Sequence, residues 1–374
     1  MSSRGHLQPW VAFLGLFVAV ALPLDAADPA RMLPREGLAG WTVILLLAAA
    51  TWQAIRAERA AFTAVLLAVA AHAGAWFAIS LLPSVAGHAG PGFWALLFTS
   101  WLLAWRLVSQ LAAIKPRGGL GGFLLKIVVP LIFGAWLLIF WEVIVVVFQV
   151  PSVLIPPPSA IWAKLTSSIP ILAADFRQTF LKAVIAGYVM GCGSGFLVAI
   201  LVDRIPFLQR GLLPVGNLVS ALPIIGIAPI MVMWFGFDWP SKAAVVVVAT
   251  FFPMLVNTVT GLAASQPMQR DLMRTYAANY WQSLIKLRLP EALPFIFNAL
   301  KINSTLALIA AIVAEFFGTP IVGMGFRIST EVGRMNIDMV WAEIAVAPLA
   351  GSAFYGVIAL IERASTFWHP SFRT

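Results

Sequence analysis

A polar and basic stretch from Ser265 to Pro290 lies between two apolar stretches in a chain that otherwise carries little charge. Arg270 and Arg274 are four residues apart, so in a helix they point to one side. The apolar side of that helix would be formed by Met273, Ala277, Tyr280 and Trp281. This pattern predicts one short amphipathic helix parallel to a membrane. Its side chains suit recognition of a soluble partner, and a simple interfacial anchor is the alternative.

Patterns for covalent chemistry are missing from the sequence. No glycine-rich loop ends in Gly-Lys-Ser/Thr, so the chain has no cradle for nucleotide phosphates and should not hydrolyse ATP by itself. Nucleophile-elbow, zincin and paired-carboxylate patterns are also absent. The four histidines have no metal-ligand spacing. We therefore expect no catalytic residue, no metal site, no cofactor and no enzymatic activity in this chain.

One apolar stretch, from Asn217 to Pro229, contains two prolines and a glycine. Each proline removes a backbone donor and bends a helix, and freed carbonyls are tolerated at membrane depth only against protein or a watery cavity. A broken helix beside a solute pathway is one interpretation, and a structural kink is the other. A buried charge is costly in a membrane, so Glu315 is a further candidate. The predicted pathway residues are Asn217, Ser220, Pro223 and Glu315.

Gly187, Gly191 and Gly195 recur every fourth residue in another apolar stretch. They leave one helix face without side chains, so that a second backbone can approach closely. Ordinary packing in a helix bundle is the simpler interpretation, and a face that lines or gates a pathway is the alternative.

The elements that must position these residues are membrane helices. The chain is 61% hydrophobic and 10% charged, with a mean hydropathy of +0.93. Crossing a bilayer takes about 20 apolar helical residues. We predict an all-α integral membrane protein with about ten spans, the first retained rather than removed as a signal peptide. The spans cover residues 9–24, 39–55, 61–85, 93–114, 123–148, 179–202, 212–235, 242–263, 291–317 and 341–362.

Loop charges predict the orientation. With the N-terminus in the cytoplasm, the inside segments hold nearly twice as many Lys and Arg as the outside ones, which favours two cytoplasmic termini. The net charge of +9 is thereby explained without a nucleic-acid partner. Residues 1–118 hold four spans with plain loops, and residues 119–374 hold six with Pro- and Gly-marked connections. Gly118 to Gly122 is the predicted hinge.

The polar loop resembles that of the permease subunits of bacterial ABC importers, in the nitrate/sulfonate/taurine group. The family loop reads Glu-Ala-Ala, three residues, Gly, nine residues, Ile-x-Leu-Pro. The matching positions here are Asp271-Leu272-Met273, Ala277, Leu287 and Leu289-Pro290. Trp141-Glu142, Pro156-Pro157-Pro158-Ser159, Ala221-Leu222-Pro223, Phe252-Pro253 and Ala314-Glu315 resemble other segments of the family in the same order.

The resemblance implies a six-helix importer core, residues 119–374, preceded by four extra spans in the bacterial inner membrane. Its loop 265–290 would couple to a separate ATPase, which holds ATP and Mg²⁺. An external binding protein would deliver a small solute, and a second permease would complete the pathway. The implied coupling residues are Asp271, Arg274, Thr275, Ala277, Trp281, Leu289 and Pro290.

Two departures from the family pattern bear on coupling. Asp271 stands in place of Glu, and Ala277 in place of Gly. Because alanine enters the positive-φ region less easily than glycine, we expect it to continue the helix. The alternatives are a non-transporting scaffold or sensor and the weakly coupled half of a heterodimer. The solute, the dimer composition and the role of the extra spans remain open.

Overall fold

The computed structural model describes residues 4–56, 61–114, 119–220, 223–318 and 321–368. These residues form helices and no β-strand beyond two isolated bridges. Eight of the helices are long and apolar enough to span a membrane. Two predicted spans appear as shorter apolar helices in the described part, at Leu7–Ala21 and Ile224–Phe235. The all-α membrane fold predicted from composition is confirmed.

The chain divides into two compact units, residues 1–160 and 161–374. The boundary predicted from the sequence lies after residue 118 and differs from this structural division. It stays a prediction. Gly118 lies outside the described residues, whereas Gly119 already begins a helix, so residues 119–122 of the predicted hinge are helical.

The first unit is built from five long helices. They are α1 (Arg4–Ala21), α2 (Gly37–Ile55), α3 (Ala61–Val85), α4 (Pro91–Ala112) and α5 (Gly119–Val147). Mostly leucine and alanine, with a few valines and two aromatic residues, fill the space between them, and Leu47, Leu67 and Phe93 are fully buried. At the end of α5, Glu142 accepts hydrogen bonds from the backbone N–H of Ser159 at 2.9 Å and from its hydroxyl at 2.7 Å. Two sequence motifs that are 17 residues apart thus meet.

A short helix, α6 (Pro158–Ser167), leads into the second unit. There α7 (Ile169–Phe176), a π-helical segment (Arg177–Val184) and α8 (Ile185–Arg204) form one continuous span. The next helices are α9 (Pro206–Ser220), α10 (Ile224–Phe235) and α11 (Trp239–Ala263). After them come α12 (Pro267–Thr275), α13 (Tyr280–Ser283), a π-helical turn (Leu284–Arg288), α14 (Leu289–Glu315), α15 (Met324–Gly333) and α16 (Ile337–Ser365).

Helix α11 lies at the centre of the second unit, between α8 and α14. The core around it is rich in alanine, which lets helices approach closely in a membrane. The C-termini of α8 and α11 and the start of α14 lie at one end, with the loop 264–288. The start of α11 and the end of α14 lie at the opposite end, near α15. These two ends carry the polar side chains considered below.

Candidate functional site

The loop after α11 begins with a fixed turn. The backbone N–H of Gln266, at the start of α12, donates to Gln269 Oε1 at 3.0 Å and is thereby satisfied. Arg270 Nε donates to Ser265 Oγ at 2.7 Å, and its guanidinium also donates to the carbonyl of Ala263. Arg270 therefore ties α12 back to the end of α11 and is turned toward the protein rather than toward solvent.

Helix α12 ends at Thr275, earlier than predicted, and the turn that closes it is formed at Ala277. Ala277 has a φ of +52°, in the left-handed region. Its N–H donates to Arg274 O at 2.9 Å, while the N–H of Ala278 donates to Met273 O at 3.0 Å. This pair of bonds is the Schellman arrangement that closes helices, usually with glycine at this position. The prediction that Ala277 continues the helix is wrong, because the two closing bonds stabilise the turn despite the alanine side chain.

The second half of the loop is capped separately. The backbone N–H of Gln282 donates to Asn279 Oδ1 at 2.9 Å, and that of Asn279 donates to Gln282 Oε1 at 2.9 Å. Such a reciprocal pair satisfies two backbone donors at the start of α13. The chain then passes through the π-helical turn into α14, whose first two residues are Leu289 and Pro290. The single amphipathic helix predicted over this stretch is thus two capped helices with a break between them.

The loop is anchored to the core by Asp203, near the end of α8. Arg288 donates to its two carboxylate oxygens at 2.8 and 2.5 Å, and the Tyr280 hydroxyl donates to one of them at 2.9 Å. Arg288 Nε also donates to the carbonyl of Leu262 at 3.0 Å. The side chains of Asp203 and Arg288 are 8% and 15% exposed, so this is a largely buried, two-pronged ion pair.

Sequence reasoning missed this anchor. The available signal was a single acid, Asp203, at the end of an apolar stretch and directly before Arg204. Arg204 itself lies over the rings of Tyr280 and Trp281, with 5.4 and 5.7 Å from its guanidinium carbon to the ring centroids. One dipeptide at the end of α8 thus holds both the acid and the cation that fix the second half of the loop.

The outer face of α12 carries an apolar stripe, defined by Met268, Leu272 and Tyr276. They are spaced by four residues and are 80%, 56% and 78% exposed. The apolar side predicted from sequence was different, since Met273 and Tyr280 are half-buried against the protein. Asp271, Arg274 and Thr275 are also exposed on α12, and Trp281 is exposed on α13. Exposed apolar side chains ringed by polar ones are typical of a protein-docking surface.

At the opposite end of the second unit, Glu315 is buried among hydrogen-bond donors. Its carboxylate accepts from the Thr179 hydroxyl at 2.8 Å and from the backbone N–H of Gly325 at 2.7 Å. Thr179 Oγ1 in turn accepts from the N–H of Met324 at 2.8 Å. A pathway role for Glu315 stays a prediction. Through these hydrogen bonds Glu315 also holds the start of α15 against the π-helical segment.

Asp175 makes a second set of contacts with the start of α15. It is fully buried and accepts from the backbone N–H of Gly323 at 2.7 Å and from Arg327 Nε at 2.8 Å. Gly323 has a φ of +143°, and a Cβ there would lie 2.8 Å from Glu315 Cδ. Only glycine fits both the backbone and the space. The hydrogen bond and ion pair with Asp175 raise the pKa of Arg327 above its ordinary value.

A third polar contact joins α11 to this end. Lys242 is buried and donates to the carbonyls of Phe237, at 2.6 Å, and of Gly318. Asp238 accepts from the N–H of Trp239 at 2.7 Å and from Gln178 Nε2 at 2.8 Å. The Trp239 N–H, more than any other contact, lowers the pKa of Asp238, which stays ionised at neutral pH.

The three glycines of α8 face α11. A Cβ on Gly187 would lie 2.7 Å from Ala243 O, one on Gly191 would collide with Thr250 Oγ1, and one on Gly195 would lie 2.5 Å from Phe251 O. The two helices therefore pack backbone to backbone. Such contact leaves no room for a pathway between them.

The predicted break in the seventh span corresponds to the separation of α9 from α10. Pro223 precedes the first residue of α10, with an extended backbone. The side chains of Asn217 and Ser220, and residues 221–222, lie outside the described part of the chain. A small cavity of about 100 Å³ lies beside the break, and its lining includes Val219, Ile224, Val245 and Leu306. The pathway role of Asn217, Ser220 and Pro223 stays a prediction.

Comparison with known proteins identifies the class. Residues 183–366 match the family model described as "Binding-protein-dependent transport system inner membrane component". The matched part, 184 of the 374 residues, runs from the π-helical segment through α16. The protein is the transmembrane permease subunit of an ATP-driven importer for a small solute, and the matched family implies ATPase and binding-protein partners. In keeping with that family, it is a multi-pass membrane protein.

Several curated relatives are similar to this chain in sequence. The riboflavin transport system permease protein of Chloroflexus aurantiacus is 28% identical over 63% of this chain and 88% of its own length. The formylaminopyrimidine transport permease protein of Halalkalibacterium halodurans is 29% identical over 64% and 95%. The putative aliphatic sulfonates transport permease protein of Bacillus subtilis is 26% identical over 69% and 91%. The likeness thus extends across permeases named for quite different solutes.

Proposed function

We propose that the loop 265–290 is the surface through which a separate ATPase drives this permease. The observation that carries the proposal is the apolar stripe Met268, Leu272 and Tyr276, exposed on a helix that is fixed to the core from behind. A docking element must transmit force, so it needs an exposed face and a rigid attachment. Arg270 and the Asp203–Arg288 pair supply the attachment.

ATP and Mg²⁺ would be held by the ATPase, since the permease carries no phosphate-binding loop of its own in sequence. Closure of two ATPases would rock two permease subunits between inward-facing and outward-facing states, with the loop on the cytoplasmic side. The second subunit would be either another copy or a related chain. Both termini would then be cytoplasmic, as the loop charges predict.

The external binding protein would dock at the other end of the second unit. There Asp175 and Glu315 hold the start of α15 against the π-helical segment. Selectivity for the solute would lie largely in that binding protein. The coupling loop favours transport over the scaffold alternative, because Ala277 adopts the positive φ that the family's glycine would supply. The alanine therefore keeps the shape of the turn and is no evidence of weakened coupling.

Docking can be tested by site-specific cross-linking, since the only cysteine, Cys192, is buried. A Tyr276→Cys variant places a thiol on the exposed stripe, and a Val332→Cys variant places one at the other end, where Val332 is also exposed. A candidate ATPase with a thiol-reactive cross-linker should be captured by the first variant and not by the second. Equal capture by both, or none by Tyr276→Cys, contradicts the proposal.

A further inference from the structure

A polar cavity lies behind the docking loop, between α12 and the ends of the core helices. It has a volume of about 390 Å³, within the range of about 300–1,000 Å³ that is usual for small-ligand sites. The side chains that matter for its chemistry are Asp203, Arg270, Arg274, Asn279, Ser283 and Arg288. The lining therefore contains three guanidinium groups and one carboxylate.

The carboxylate of Asp203 does not neutralise the positive charge of the other two arginines in this cavity. Both oxygens of Asp203 are taken up by Arg288, and one of them also accepts from Tyr280. Arg270 donates to two neutral oxygens, those of Ser265 and Ala263, and forms no ion pair with any described residue. Its positive charge is therefore left without a counter-ion in the part of the chain that the structure describes.

Arg274 supplies a second available charge. Its nearest acid is Asp271 at 3.4 Å, and the two side chains are 82% and 70% exposed. Such an exposed pair is weak and exchanges readily for a better partner. The Ser283 hydroxyl and the Asn279 amide add neutral donors to the lining. Two guanidinium groups with neutral donors beside them match a tetrahedral oxyanion, for which arginine is well suited.

The surroundings of the cavity indicate where such an anion would come from. It lies where α8 and α11 end and α14 begins, which is the boundary between the membrane and water. Exposed Trp281 and Ile285 lie nearby in sequence on the same loop. Basic side chains beside interfacial apolar ones attract anionic lipid head groups.

We propose that this cavity is a binding site for a phosphate group, supplied by an anionic lipid head group or by a soluble phosphate ester. The bound group bridges Arg270 and Arg274 on α12 to the donors on α13. It thereby braces the docking loop against the core. Coupling to the ATPase then depends on whether this site is filled, which makes it a regulatory site distinct from the docking stripe.

The test uses the full-length permease in an uncharged detergent, without an ATPase, so that its outcome is independent of docking. Thermal unfolding is followed while one of three probes is added: short-chain phosphatidylglycerol, glycerol phosphate, or a diacylglycerol of equal chain length that lacks phosphate. Because a ligand of the native state raises the Tm, a phosphate-bearing probe should do so and diacylglycerol should not. A response to the lipid alone assigns the site to a head group, and a response to glycerol phosphate as well assigns it to phosphate in general.

Arg274→Gln is the informative variant, because its side chain is exposed and its loss should not unfold the loop. It should raise the half-saturating probe concentration by about tenfold or more, as expected for losing a charged hydrogen bond. Lys286→Gln is the matched control, since Lys286 is an exposed cation of the same loop outside the cavity lining. The proposal is overturned if no phosphate-bearing probe shifts the Tm, or if Lys286→Gln weakens binding as much as Arg274→Gln.

Discussion

Replacing Asp203 by asparagine should release the docking loop from the core. Asparagine keeps one acceptor oxygen but removes the charge that Arg288 grips at 2.8 and 2.5 Å. With side-chain exposures of 8% and 15%, the pair is shielded from solvent, and Arg288 would be left buried without its partner. Breaking a buried pair in this way costs about 3 kcal/mol or more. At about 1.4 kcal/mol for each factor of ten, the loop should open about 100-fold more often.

The same loop provides a control. Asp271 and Arg274 form a second Asp–Arg pair, but it is 3.4 Å long and its side chains are 70% and 82% exposed. Pairs of this kind contribute less than about 1 kcal/mol. Asp271→Asn therefore removes the same charge from the same loop with little expected effect on loop opening.

Hydrogen exchange of the backbone amides of residues 280–289 measures the opening directly. In Asp203→Asn these amides should exchange about 100-fold faster than in the wild type, whereas amides in the middle of α14 should be unchanged. Asp271→Asn should stay within a few-fold of the wild type. Equal acceleration in the two variants, or no acceleration in Asp203→Asn, would refute the assignment of Asp203 as the anchor.

Three further predictions follow from individual contacts. Ala277→Gly should slow hydrogen exchange of the amides at the end of α12, because glycine removes a left-handed strain of about 1 kcal/mol; faster exchange in this variant would contradict the strained turn. Ala277→Pro cannot adopt a φ of +52° and should abolish ATPase capture. Gly191→Val should lower the Tm in detergent, because its Cβ meets α11, while Gly193→Val should not, because nothing lies within 4 Å of its Cβ; equal shifts would argue against close packing. Glu315→Ala should lower the Tm by leaving the Gly325 N–H without its acceptor, and proteolysis should increase near residues 318–327; an unchanged Tm would favour a pathway role alone.

The membrane helices could be predicted from sequence with small errors. The predicted span 61–85 coincides with α3, and the span 242–263 differs from α11 by three residues at its start. Such accuracy has a physical cause, since lipid requires long apolar segments whose backbone bonds close internally. A larger error in a boundary was at the span 179–202, which begins ten residues earlier, at Ile169.

The polar contacts could not be predicted in the same way. The Asp203–Arg288 anchor joins residues 85 positions apart, and the bond from Gly323 to Asp175 joins residues 148 apart. No local pattern encodes such pairs, because they depend on which helix ends meet in the folded bundle. The turn at Ala277 was missed for a related reason. Local propensity favours a helix there, but the closing bonds to Met273 and Arg274 outweigh it.

In the proposed function, this permease transmits the state of an external binding protein to an ATPase through the loop 265–290. The most direct test of this claim is ATP hydrolysis by the captured ATPase together with the full-length permease in nanodiscs, with and without binding protein loaded with solute. Hydrolysis should rise when the loaded binding protein is added to the wild type, and Ala277→Pro should abolish the rise. Hydrolysis that ignores the binding protein in the wild type, or a rise that survives in Ala277→Pro, would contradict the claim.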